Sequence, residues 1–78
     1  MQTLVEITNK AIADYGFRQA VLWSPDDVAE QRGLSESEAA ALKGPVRDAL
    51  EELPIPVEPE DQPAEESRFA KIIAEALR

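Results

Sequence analysis

Six prolines and three glycines cut these 78 residues into short pieces, and that punctuation constrains the fold more than any other feature. Proline inside a helix removes an amide donor and clashes with the carbonyl four residues back, at a cost of ~3 kcal/mol. Glycine adopts the left-handed conformation that closes helices. The best-marked boundaries lie between Ser24 and Leu53. Ser24 precedes Pro25, Asp26 and Asp27, which reads as an N-cap, a proline preset for the first turn and two carboxylates at the positive end of the helix dipole. A short helix is expected from Pro25 to about Arg32, stopping at Gly33. Leu34-Ser35 with Glu38 three residues on is a capping box that opens the next helix. Gly44-Pro45 should break that helix. Val46, Ala49, Leu50 and Leu53 then recur at helical spacing. Either two short helices meet at the break or one long kinked helix runs from Glu36 to Leu53, the former being preferred.

The flanking segments read in the same way. Met1 to Tyr15 forms a first helix with Leu4, Thr8, Ala11 and Tyr15 on one stripe and Val5, Ile7 and Ile12 beside it. Glu6 and Lys10 make a favourable four-residue pair on the polar side, and Gly16 is expected to end the helix. Phe17 to Trp23 (FRQAVLW) is dense and apolar. A strand at Val21-Leu22-Trp23 would find nothing to pair with, so one or two helical turns are expected. Pro25 should hold Ser24 extended. Leu53 to Pro63 carries prolines at 54, 56, 59 and 63 and favours polyproline II over helix or sheet. Ala64 to Leu77 forms a final helix with Phe69, Ile72, Ile73, Ala76 and Leu77 on one face. The expected fold class is all-α: a small bundle of four to five short helices over residues 1–53, a Pro-rich linker over 54–63, and a C-terminal amphipathic helix over 64–78.

Composition narrows the chemistry. The sequence has no histidine and no cysteine, so the usual acid–base and thiolate mechanisms lack their side chains. The carboxylates occur as sequence neighbours (Asp26-Asp27, Glu51-Glu52, Glu60-Asp61, Glu65-Glu66), which point in different directions on a helix and make poor catalytic pairs or metal cages. No glycine-rich phosphate loop is present. We therefore expect no catalytic residue, no cofactor and no metal. Sixteen acidic against eight basic residues give a formal charge of −8, which repels phosphate backbones and anionic lipid. The segment from Val28 to Leu50 has the outline of a helix-turn-helix, but the second helix offers Glu36, Ser37, Glu38 and three alanines where base readers would stand. Neither a signal-like start nor an apolar run of membrane length occurs, and the cytoplasm is the expected location.

What remains is recognition through apolar surface. The partner is expected to be another protein chain, in a hetero-complex or a homo-oligomer, with no nucleic acid and no membrane. The candidate contact residues are Phe69, Ile72, Ile73 and Leu77 on the last helix, Ile55 and Val57 between the prolines, and the Trp23 corner. The last helix either folds back on the first helices or serves as a detachable recognition helix on its proline tether. Ile55 and Val57 either pack along the chain's own helices or dock on another. Trp23 and Tyr15 stand beside apolar runs, where core packing is the ordinary outcome for an aromatic ring.

The run A-I-A-D-Y-G-F-R-Q-A-V-L-W-S-P-D-D-V from Ala11, followed by Gly33-Leu34-Ser35, Glu38 and Leu42, resembles a known pattern. It is similar to the LigA-like helical fold of the α subunit of extradiol protocatechuate dioxygenases, also found in leader regions of some ribosomally made, modified peptides. The shared elements are a Phe-Arg pair leading to a proline-acidic helix start, then a Gly-Leu-Ser or Gly-Leu-Thr step with an acidic capping residue. The resemblance spans residues 11–53, a little over half the chain. It implies an all-helical accessory role, either as a small dioxygenase subunit whose larger partner holds the metal or as a leader-type precursor. After Leu53 there is no cysteine, no threonine and a single serine at 67, which departs from a modifiable peptide core.

Overall fold

The computed structural model describes residues 2–78, and every regular element in it is helical. The first helix, α1 (Gln2–Ala13), buries Leu4, Ile7, Thr8, Ala11 and Ile12. Met1, read from sequence as part of it, lies outside the described residues. Thr8 is tolerated in this apolar stripe because its hydroxyl donates to the Val5 carbonyl at 2.9 Å. The helix ends earlier than the sequence suggested, and Gly16 is not its stop. Asp14 turns extended (φ −126°, ψ 105°), and its carboxylate accepts the Phe17 amide at 3.2 Å, capping α2 (Tyr15–Trp23). Gly16 sits in the first turn of α2, where a Cβ would lie 3.3 Å from that capping oxygen. Its role is to leave the cap room.

Ser24 closes α2 and opens α3 (Pro25–Gln31). Its amide donates back to the Ala20 carbonyl and its carbonyl accepts from the Val28 amide. The hydroxyl makes no capping bond, contrary to the expectation from Ser-Pro-Asp-Asp. One residue serves both helices here, and its ψ of 58° falls short of the extended value expected before proline and typical of an N-cap. Gly33 does end α3, at φ 67°. Its amide donates to the Glu30 carbonyl and the Leu34 amide to the Ala29 carbonyl, a Schellman closure. The capping box forms as read: the Glu38 amide donates to the Ser35 hydroxyl at 3.2 Å, and the Ser35 amide to the Glu38 carboxylate at 3.0 Å.

Beyond the box, α4 (Glu36–Ala41) and α5 (Arg47–Glu51) flank a wide π-type turn at Leu42–Val46. Gly44 leaves helical geometry there (φ −105°, ψ −105°), so the break is real, but no loop separates the two helices. The wide turn keeps Leu42 and Val46 on the core side, both fully buried, in line with Ala49, Leu50 and Leu53.

The proline segment is less extended than its composition suggests. A 3₁₀ turn forms at Pro59–Asp61, and α6 starts at Gln62 (Gln62–Ala76), taking Pro63 into its first turn. Proline lacks only an amide that the first turn would leave unpaired. The last helix folds back: α6 packs along α1 and against the π turn, with Phe69 and Ile73 fully buried. The radius of gyration is 11.2 Å, close to the ~11.5 Å of one folded body of this length. The architecture is a small all-α bundle of five helical bodies, the kinked α4–α5 segment counting as one, with a proline-containing linker ahead of α6.

Candidate functional site

The site is built on α2. Its outer face carries Tyr15, Gln19 and Trp23 at four-residue spacing, which stacks them along one side. Trp23 is 80% exposed and Tyr15 41%. Core packing, the expectation for both, does not hold. Val21 is the apolar side chain that α2 buries fully, and Trp23, two residues later, points elsewhere. The indole Nε1 donates to Gln19 Oε1 at 2.8 Å, so the ring is held against its own helix rather than loose in solvent.

Beside Trp23 runs a groove of about 250 Å³ lined by Gln19, Leu22, Trp23, Arg47 and Glu51. Arg47 fixes its second wall. The guanidinium Nε donates to the Leu22 carbonyl at 3.0 Å, and Nη1 pairs with Glu51 at 3.3 Å. That carbonyl lies in the last turn of α2, where the helix leaves carbonyls unmet and favours a cation. One arginine therefore couples α5 to α2 and closes the groove.

One turn before Trp23 the same helix does the opposite. Arg18 is only 2% exposed. Its guanidinium donates to the carbonyls of Ala11 (3.1 Å) and Ile12 (3.2 Å) at the end of α1, and to that of Pro54 (3.1 Å) in the linker. The planar guanidinium spreads its donors over three nitrogens and reaches three separated acceptors, a spread that lysine's single ammonium nitrogen does not reproduce. Burial pushes the guanidinium below its usual pKa, and the neighbouring Tyr15, whose ring centroid is 5.4 Å from Cζ, works in the other direction. The residue after Pro54, Ile55, is 63% exposed. Tyr15, Trp23 and Ile55 are the exposed large apolar side chains among the described residues. All three belong to α2 or to the segment Arg18 ties against it.

The other contact residues read from sequence lie elsewhere. Val57 is 4% exposed, and Phe69 and Ile73 are fully buried; they are packed in the chain's own core and present no surface to a partner in this fold. The reason is the return of α6 onto α1, which covers the face that a detachable helix would have offered. Ile72 and Leu77 are half-buried at the edge of that core. Sequence reading named none of Arg18, Gln19 and Arg47 as a site residue, Arg18 entering only through the Phe-Arg pair of the resemblance. For Arg18 a signal existed: a single cation inside FRQAVLW.

Among the described residues no three acidic side chains converge as a metal cage would require, and no helix is long and apolar enough to cross a membrane. Comparison with protein-family models, curated proteins and solved structures finds no match.

Proposed function

We propose that this chain is a non-catalytic helical binding module, an accessory subunit, adaptor or regulator, that recognises another protein through the Trp23 side of α2. The observation that carries the reading is the exposure of Trp23, at 80% the most exposed of the three large apolar side chains, with Tyr15 and Ile55, that the described residues leave open. Exposed tryptophan with an adjacent groove is the composition of an interface anchor, since tryptophan, tyrosine and arginine dominate interface hot spots. Gln19 and Arg47 hold the ring and the groove in place beforehand, which lowers the ordering cost of association. The lack of histidine and cysteine supports a role in recognition over chemistry.

The test is affinity capture from the native host with the wild-type chain and with a Trp23→Ala, Ile55→Ala pair, helicity being checked by circular dichroism. A partner held by wild type should be lost, with an affinity decrease of about thirtyfold or more for a central tryptophan anchor. Undiminished capture by the folded double variant would overturn this surface as the contact.

The likeness of residues 11–53 to the LigA-like pattern supports two more specific versions of the same role. As a dioxygenase accessory subunit, the chain would copurify with a larger iron-binding polypeptide. As a leader-type precursor, it would carry a modification or a cleavage visible in the intact mass of the native protein.

A further inference from the structure

We propose a second docking site, independent of the Trp23 surface: the open groove between the Gly44-Pro45 kink and α6 receives an acidic amphipathic segment of another protein. In this mode one bulky apolar side chain fills the groove and a carboxylate meets Lys71. The groove has a volume of about 460 Å³ and is lined by Pro45, Arg68, Lys71, Ile72, Glu75 and Ala76. It opens beside the break, where Pro45 is the lining residue contributed by the kinked segment and the rest of the lining comes from α6. The pyrrolidine ring, Ile72, Ala76 and the methylene stems of Arg68 and Lys71 make the floor and walls almost entirely carbon.

Charge selects the occupant. Arg68 pairs with Glu65 at 2.8 Å and Arg78 with Glu75 at 3.2 Å. Elsewhere on the surface, Lys43 pairs with Asp26 and Arg47 with Glu51. Lys10 and Arg32 both lie over the Phe17 ring. Among the described residues Lys71 alone has neither a carboxylate nor an aromatic ring, although carboxylates outnumber cations sixteen to eight. An unmet ammonium at the lip of an apolar groove matches a ligand with a greasy anchor and an acidic neighbour, and disfavours a basic one by like-charge contact. The occupant is a short segment, because the chain's own charge of −8 repels a large anionic body such as a second copy, and only contact close to Lys71 outweighs that repulsion.

The experiment uses the full chain and three labelled amphipathic helical peptides of about 15 residues with the same leucine face, flanked by glutamate, glutamine or lysine. Binding is read by anisotropy and by backbone amide shifts. The glutamate peptide should bind saturably and shift the amides of residues 68–76, with the glutamine version about tenfold weaker and the lysine version weaker still. Lys71→Glu and Ile72→Ala should each weaken the glutamate peptide about tenfold with helicity unchanged, while Trp23→Ala leaves it alone. That last control separates this site from the α2 surface, so either can fail without the other. Equal binding of all three peptides, binding that survives Lys71→Glu, or no saturation by about 1 mM would overturn the proposal. So would self-association in sedimentation that Lys71→Glu abolishes, since it would assign the groove to a second copy.

Discussion

Arg18 and Trp23 are five residues apart on one helix, and their environments are inverted. The cation is 2% exposed and the indole 80%. Hydrophobicity alone would place them the other way round. The arginine tolerates burial because its donors are used: two carbonyls in the last turn of α1 and one in the linker replace the water it loses. The tryptophan tolerates exposure because Gln19 takes its one polar hydrogen and the ring rests on its own helix. The contrast separates two kinds of design in one element. Arg18 sets where three segments meet. Trp23 contributes nothing comparable to the core, and its cost in exposed surface is unexplained unless something else covers it.

Substitutions put a scale on that contrast. Phe69→Ala gives the reference for a core aromatic and should lower stability by about 4 kcal/mol in urea unfolding. If α6 were only tethered, the midpoint would barely move. Arg18→Ala should follow at about 3 kcal/mol, because buried carbonyls lose their donor. Arg18→Lys should recover only part of that loss, as a point charge cannot span the three acceptors. Ser35→Ala, which removes half of the capping box, should cost about 1 kcal/mol. Trp23→Ala should fall within about 0.5 kcal/mol of wild type, as for surface substitutions in general. A large loss at Trp23, or none at Arg18, would break the comparison outright.

Much of the fold could be read along the chain because its signals are local. Gly33, the Ser35–Glu38 box, the Gly44-Pro45 break and the apolar face of α6 each act within a turn or two, and each appears in the structure. The first boundary failed because two turn-formers stand two residues apart: Asp14 supplies the cap and Gly16 the space for it. The site was harder to read. The burial of Arg18 depends on a carbonyl 36 residues later, which no periodicity announces. Trp23 sits at the end of an apolar run, and only the direction of α2 decides whether that end faces in or out. The same dependence moved Phe69 and Ile73 from candidate contacts to core.

The pairing of α1 with α6 has a consequence for how the molecule is made. The segments that share this seam are separated by about 50 residues, so closing it carries the entropy of a long loop. During synthesis Leu4, Ile7 and Ile12 emerge well before Phe69 and Ile73 can cover them. A ribosome-stalled fragment ending before Gln62 should hold nascent helices but no protected interior, and its amides should exchange freely until α6 is released.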